Sequence, residues 1–161
     1  KISELDPNLA LLDELADYQR HALNAVQQGR RKLYILSDLL DDPVYNTDAF
    51  RDAVRNLAIK DRYSEVRILV KDIKPLVERG HRLLELARRL SSKVQLRKLT
   101  VPPLNNDQAY MIVDNATILY KHVDTVYNGY VDYAAAPKCK LLIEEFNKAW
   151  DMFGEVDPSL R

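Results

Sequence analysis

Cysteine is almost absent from this chain of 161 residues, in which Cys139 is the single example. One thiol excludes an intramolecular disulfide, and together with three scattered histidines it gives no spacing typical of a metal site. Glycine is also scarce, and the four glycines form neither a phosphate-binding loop nor the Gly-x-Ser-x-Gly turn of many hydrolases. No metal or cofactor is therefore expected.

Long hydrophobic runs are missing as well, since no apolar stretch approaches the roughly 18 residues that span a membrane. The N-terminus has no signal-peptide pattern, so the sequence predicts a cytoplasmic protein without a membrane partner. A length of 161 residues with 47% hydrophobic content fits one domain, covering residues 1–161. The chain begins with Lys1 rather than methionine, which suggests either a trimmed disordered terminus or a domain cut from a longer protein.

The chain has no net charge, because 24 Lys and Arg residues balance 24 Asp and Glu residues. It therefore has no overall attraction to nucleic acids or membrane surfaces. The distribution is uneven, since residues 66–98 contain ten basic and three acidic residues, a net charge of +7. Long helices with solvated charged faces routinely produce such counts. Nucleic acid is therefore not the expected partner, although a nucleic-acid binder using this basic segment stays open as an alternative.

Apolar residues at helical spacing predict four helices. They cover residues 8–28, 50–58, 75–90 and 137–154. Thr47 or Asp48 is expected to cap the second helix, and Gly80 marks a break in the third. Each helix presents one apolar face, which must be buried against another layer of the fold.

Short apolar runs predict four strands, at residues 33–36, 66–70, 94–99 and 126–133. Residues 109–113 and 117–120 flank an Asp-Asn pair, which is typical of a β-hairpin. Strands that alternate with helices favour an α/β fold in which the early strands are parallel and the hairpin adds antiparallel members. The expected architecture is one mixed sheet flanked by helices.

The hairpin resembles the signature hairpin of the phospholipase D superfamily, in which one strand carries His-x-Lys-x-x-x-x-Asp. If Asp114 is aligned with the aspartate of that motif, Asp107 occupies the histidine position and Ala109 the lysine position. The second strand of the motif runs to Gly-Ser-x-Asn, and these positions hold Lys121, His122, Val123 and Asp124. The order of elements over residues 9–153 is also similar to one phospholipase D-like half.

The resemblance implies a phospholipase D-like α/β/α fold without phosphodiesterase activity, because neither Asp107 nor Ala109 can act as the nucleophile or hold a phosphate. Residues 79–90 further resemble part of an uncharacterised bacterial domain that often accompanies an acetyltransferase of the GNAT type. The expected function is a non-catalytic ligand-binding or regulatory module with an acetyltransferase as partner. Single-motif members of the superfamily pair two halves, which implies a homodimer.

Four residues are candidates for binding an anionic small molecule: His81, Arg82, Lys121 and His122. His81 and Arg82 follow the strand at residues 66–70, and the carboxyl ends of parallel strands commonly bind ligands. An enzyme acting on a phosphorylated substrate through His81, Lys121 and His122 remains the alternative. Their convergence in one pocket would favour a ligand site or an enzyme, a flat exposed stripe would favour nucleic acid, and scatter would favour none of these. Nearby carboxylates could instead satisfy these cations internally, and they are Asp38, Asp41, Asp72 and Asp107.

Three further features have ordinary interpretations. Cys139 lies in the first turn of the last predicted helix, where the helix dipole could lower its pKa, although a buried inert thiol is commoner. His21 is expected to be solvated on the outer face of the first helix. The tyrosines near the last strands are interpreted as packing residues, although they could instead stack on bases or line a small-molecule pocket; they are Tyr120, Tyr127, Tyr130 and Tyr133.

Overall fold

The computed structural model of the chain describes residues 7–101, 108–123 and 126–161. Within these residues the strands are β1 (Leu9–Leu12), β2 (Lys32–Ser37), β3 (Glu65–Val70), β4 (Val94–Leu99), β5 (Ala109–Val113), β6 (Thr117–Lys121), β7 (Gly129–Asp132) and β8 (Gly154–Glu155). The helices are α1 (Leu15–Gln27), α2 (Asp42–Tyr45), α3 (Asp48–Lys60), α4 (Lys74–Arg79), α5 (Arg82–Arg89) and α6 (Ala136–Phe153), and a 3-10 turn covers Pro158–Leu160.

The strands form one sheet in the order β1-β7-β6-β5-β2-β3-β4-β8. β2, β3 and β4 are parallel, whereas β5 pairs antiparallel with β2 and then with β6. The prediction of an α/β fold with early parallel strands and an antiparallel hairpin is confirmed. The hairpin lies in the middle of the sheet, which explains why β5 is buried along its whole length.

Both faces of the sheet are covered by helices. Along β2, Leu33 and Ile35 face the core beneath α1, α3 and α5, whereas Tyr34 and Leu36 face the core beneath α6. This alternation follows from the two-residue period of a strand. Because both sets of side chains are buried, the strand reads as a continuous apolar run in the sequence.

The first predicted element is wrong at its start. Residues 8–28 were expected to form one helix, but Leu9–Leu12 form β1 and the helix begins at Leu15. β1 pairs antiparallel with β7, so that Leu12 lies opposite Gly129. Pairing with a distant strand satisfies these backbone groups and overrides the local helical periodicity.

Other boundaries follow the sequence more closely. Thr47 caps α3, and its hydroxyl accepts a hydrogen bond from the Phe50 amide at 3.1 Å. The break predicted at Gly80 separates α4 from α5, because Gly80 adopts a φ of 80°. The last helix ends at Phe153 as expected, but Gly154 has a φ of −85° and begins β8 instead of forming a left-handed cap.

Candidate functional site

The positions of the superfamily motif around Ala109 and Lys121 lie at the edge of the sheet where β2, β3 and β4 end. β5 begins at this edge and β6 ends there, with Ala109 directly opposite Lys121. Side chains of directly paired residues share a face of the sheet. Lys121 therefore projects from the neighbouring strand beside the position where the superfamily motif has its lysine. Asp107 and Asp124, which occupy two other motif positions, lie outside the described residues.

Four tyrosines and an aspartate line a pocket beside this pair, which we call the signature pocket. Its polar residues are Tyr18, Asp41, Tyr45, Tyr110, Lys121 and Tyr127. The Lys121 ammonium lies 4.6 Å from the ring centre of Tyr127 and 5.8 Å from that of Tyr18. The Tyr127 hydroxyl donates a hydrogen bond to Asp41 Oδ2. Burial, followed by this carboxylate, raises the pKa of Tyr127, so the phenol stays protonated as the donor.

The signature pocket is narrow. Its volume is about 10 Å³, which is roughly the space that one water molecule needs. Lys121 itself is buried, with 8% of its surface exposed. The tyrosine rings occupy the space beside the Ala109–Lys121 pair, so the described part of the site has no room for a phosphodiester.

Asp114, the one residue that matches the motif, has a structural role. Its carboxylate accepts three backbone hydrogen bonds, from Arg30 at 2.7 Å and from Arg31 and Lys32 at 2.8 Å. Asp114 and Asn115 both have positive φ angles, of 56° and 61°, as the centre of a primed hairpin turn requires. Asp114 therefore fastens the hairpin to the loop before β2 at the opposite edge from the signature pocket.

His81 is a buried cap of α5. Its Nδ1 accepts a hydrogen bond from the Leu83 amide at 3.1 Å, so Nε2 carries the proton that is donated to Leu40 O at 2.9 Å. Both ring nitrogens are thus occupied, and only 3% of the residue is exposed. Burial lowers the pKa of His81, and the hydrogen bond to Leu40 opposes this effect only in part.

The pKa of His81 predicts an acid-sensitive stability. A histidine whose folded pKa lies below the unfolded value binds a proton more readily when unfolded, so its contribution is present above about pH 6.5 and declines below it. We expect the thermal unfolding midpoint to fall between about pH 7.5 and about pH 5.5, and part of this fall to disappear in His81→Asn, because asparagine can still cap α5. His21, whose pKa burial also lowers, accounts for the remainder. An identical pH profile in the variant would contradict this role.

Arg82 is hydrogen-bonded to residues at and just before the start of α3. Its Nε donates to Asp48 Oδ1 at 2.7 Å, and its NH1 donates to the backbone carbonyl of Asn46 at 3.1 Å. His122 is exposed and lies against Tyr120, with 5.1 Å between the ring centres. His122 directly follows β6 and contacts Tyr120, whose side chain lies on the face of β6 opposite to that of Lys121 because adjacent strand residues point in opposite directions. Of the four predicted ligands, only Lys121 lines the signature pocket.

The partners of Lys121 were missed by sequence reasoning. Packing is the favoured interpretation of Tyr127 from the sequence, and Asp41 is predicted only as one of several possible counter-ions. Tyr18 and Tyr45 carry no signal in the sequence. Their positions come from α1, from the loop after β2 and from α2, which no short spacing connects. His21 is also placed differently from the expectation, because its Nδ1 lies 2.7 Å from the Tyr133 hydroxyl in a partly buried contact.

The basic segment at residues 66–98 does not form one stripe. Arg67 and Arg97 lie over the Trp150 ring on the α6 face, with their guanidinium carbons 5.2 and 4.4 Å from its centre. Lys93 donates to three backbone carbonyls of residues 61, 62 and 64. The guanidinium of Arg88 donates to the backbone carbonyl of Ser159. These cations are distributed over separate intramolecular contacts.

Cys139 lies in the first turn of α6 and is fully buried, as the commoner interpretation expects, and the alternative of a lowered pKa is wrong. Burial, and next the charge of Asp132, raise the pKa of the thiol to about 11. Among residues 7–101, 108–123 and 126–161, no cluster of three His, Cys, Asp or Glu side chains is placed to hold a metal ion. No helix in the same residues is long and apolar enough to cross a membrane.

A mixed sheet between helical layers, with the signature hairpin at its centre, defines a phospholipase D-like domain. The chain belongs to the family described as domain of unknown function DUF7931, whose profile matches residues 14–161. None of the curated proteins matches the chain.

Solved structures support the same fold. The archaeal chromatin protein TrmBL2, whose description reports a novel mode of DNA binding, is similar with a TM-score of 0.66 and 18% identity over 92% of this chain. The match covers 53% of that protein, so the chain spans about half its length. NucT from Helicobacter pylori gives a TM-score of 0.60 and 11% identity, with 91% of this chain and 96% of NucT covered.

A third similar structure is the phosphatidylserine synthase of Haemophilus influenzae Rd KW20. Its TM-score is 0.61 at 10% identity, with 88% of this chain and 36% of the synthase covered. NucT and the synthase belong to the phospholipase D superfamily, which the sequence resemblance had named. At these identities the likeness concerns the fold.

Proposed function

We propose that the domain is a non-catalytic phospholipase D-like module that binds a partner or ligand. The observation that carries this proposal is the signature pocket, in which Ala109 stands at the lysine position and tyrosines reduce the volume to about 10 Å³. Phosphodiester cleavage of the superfamily type needs a nucleophilic histidine and a cationic phosphate clamp in one open pocket. Lys121 supplies a cation, but the described lining of the pocket contains no histidine to act as that nucleophile.

The first test is an assay with a chromogenic phosphodiester such as bis-p-nitrophenyl phosphate. We expect no turnover above the buffer blank, because the histidine position holds Asp107 and an aspartate repels the substrate. Turnover that is present in the wild type and lost in Lys121→Met, with the thermal midpoint unchanged, would overturn the proposal. Lys121→Met is the suitable variant because methionine keeps the length of the buried stem.

An anionic small molecule at this edge stays a prediction. Lys121 offers the charge, but the rings of Tyr18 and Tyr127 must move before a phosphate could reach it. Calorimetric titration with phosphate, nucleotides and coenzyme A tests the prediction. Heat of binding that disappears in Lys121→Met would support such a site, and an acetyltransferase partner would explain affinity for coenzyme A. Absence of binding heat at millimolar ligand would contradict an anion site at Lys121, and the ligand of the module would then bind elsewhere on the surface.

Formation of a homodimer also stays a prediction. Four exposed apolar residues follow strand ends at the edge of the signature pocket: Leu39, Val101, Val123 and Val126. A closed two-fold dimer would bury such residues. Light scattering at tens of micromolar protein is expected to give twice the mass of one chain, and Val123→Asp to shift the mass toward the monomer. A monomeric wild type would refute this prediction.

A specific observation favours nucleic acid as the ligand. The description of the archaeal chromatin protein reports DNA binding, and that protein shares the fold at 18% identity. Fold likeness alone does not transfer a ligand, so nucleic-acid binding by this chain requires a suitable surface of its own.

A further inference from the structure

The edge of the sheet opposite to the signature pocket is basic. β2 and β3 begin at this edge, and a groove of about 800 Å³ opens beside them. Gln27, Gln28, Arg30, Arg31, Lys60 and Asp61 line the groove. Arg62 and Tyr63 follow directly and are exposed. We call Arg30, Arg31, Lys60, Arg62 and Tyr63 the arginine edge.

The backbone of the arginine edge is held rigidly. The Asp114 carboxylate binds the amides of Arg30 and Arg31. The Ser64 hydroxyl donates to the Arg30 carbonyl at 3.0 Å, and the Lys93 ammonium binds the carbonyls of the loop before β3. Two loops that are distant in sequence are therefore fixed side by side, which lowers the entropy lost when a ligand binds them.

The exposed ring of Tyr63 orients the side chains of Arg31 and Arg62. Tyr63 is 54% exposed. Arg62 lies over this ring with its guanidinium carbon 4.9 Å from the centre, and its NH2 donates to the Tyr63 hydroxyl at 2.7 Å. The guanidinium carbon of Arg31 lies 5.5 Å from the same ring centre. Cation–π contacts of this kind leave the guanidinium edges available for phosphate oxygens.

The acidic groups nearby are already engaged. Asp61 accepts a hydrogen bond from the Tyr63 amide at 2.7 Å, and its other oxygen lies 3.9 Å from Arg31. Glu65 pairs with Lys32 at 3.1 Å. Asp114 is occupied by backbone amides. The positive charge of Arg30 and Arg62 is therefore not cancelled by a carboxylate among the described contacts.

We propose that the arginine edge binds the phosphate backbone of a nucleic acid. Several cations spread along an open groove suit a chain of phosphates, and the exposed tyrosine among arginines is typical of surfaces that also contact bases. This proposal names a ligand for the module proposed above. Its test does not depend on turnover, so failure of nucleic-acid binding and failure of the non-catalytic assignment can be distinguished.

The test is fluorescence anisotropy with a labelled 20-base-pair DNA duplex and the matching single strand. We expect a dissociation constant of about 10⁻⁴–10⁻⁶ M at physiological salt, the range of non-specific binding. The triple variant Arg30→Glu, Arg31→Glu, Arg62→Glu is expected to weaken binding at least about tenfold and to flatten the dependence on salt, because fewer counterions are released.

A matched control carries the same change of charge elsewhere. Lys74→Glu, Arg79→Glu and Lys148→Glu alter exposed cations of α4 and α6, outside the groove. This control is expected to retain affinity within about threefold, because charges beyond a Debye length of about 8 Å are largely screened. Equal losses in both triple variants, or no binding of either DNA by the wild type, would overturn the proposal. Circular dichroism melting confirms that each variant is folded.

Discussion

Replacing Asp114 with alanine is expected to lower the free energy of unfolding by about 2–4 kcal/mol, because hydrogen bonds to charged groups are each worth roughly 1.5–3 kcal/mol and are not additive. The carboxylate accepts all three successive amides of residues 30–32. Alanine removes these acceptors and also tolerates the positive φ of 56° poorly. The loss is smaller than the sum because two of the amides belong to exposed residues that water can reach.

Urea denaturation measures this prediction, and Asp114→Asn is the matched control. Asparagine keeps the left-handed conformation and one acceptor oxygen, so we expect it to lose less stability than alanine. A loss below about 0.5 kcal/mol in Asp114→Ala, the range of ordinary surface substitutions, would show that the turn does not fasten the hairpin.

Gly129→Ala is expected to be the most damaging single substitution, with a loss of about 3 kcal/mol or more or failure to fold. A Cβ at this position would collide with the Tyr120 carbonyl and the Tyr18 hydroxyl. These two groups form a buried hydrogen bond of 2.7 Å, so neither can retreat without breaking it. β7 would then have to leave β6, and β1 pairs only with β7 among the described strands.

Gly80→Ala is the control for Gly129→Ala. Nothing lies within 4 Å of a Cβ built at Gly80, so only the positive φ of 80° is penalised. We expect a cost of about 1–3 kcal/mol, because a φ of 80° with a ψ of 159° lies in a region that is essentially restricted to glycine. Comparison of the two thermal midpoints separates backbone strain from collision. If Gly129→Ala were the milder variant, the close approach of α1 to β7 would not be as described.

Much of the fold was predictable because its central strands are buried on both faces. β2 and β3 appear in the sequence as apolar runs. The observed β2 is longer than its predicted run by one residue at each end, and β3 is longer by one residue at its start. The hairpin was predictable from its Asp-Asn turn, since these residues tolerate positive φ. In contrast, β1 is a strand because it pairs with β7, which lies more than 100 residues away in the sequence. Local periodicity contains no information about such distant pairing.

The candidate site was less predictable than the fold. The resemblance placed Lys121 correctly at the end of the signature hairpin, because register within a hairpin follows from its turn. It gave no information on Tyr18 or Asp41, which reach the pocket from elements formed elsewhere in the chain. His81 was predicted to bind a ligand because it lies between arginines, but it caps helix α5 instead.

The two ends of the parallel strands differ in character. At one end, tyrosines around Lys121 narrow the signature pocket. At the other end, Asp114 holds the backbone amides of Arg30 and Arg31. Asp114 thus supports the arginine edge, which we propose as the binding surface.

The most direct measurement of this account is a titration of the ¹⁵N-labelled protein with the DNA duplex, followed by amide chemical shifts. The account predicts that the shift changes concentrate on residues 30–32 and 61–64 at the arginine edge. Amides of residues 109–111 and 119–121 beside the signature pocket should remain unchanged. Shift changes centred on residues 109–121, with the arginine edge unaffected, would contradict the account.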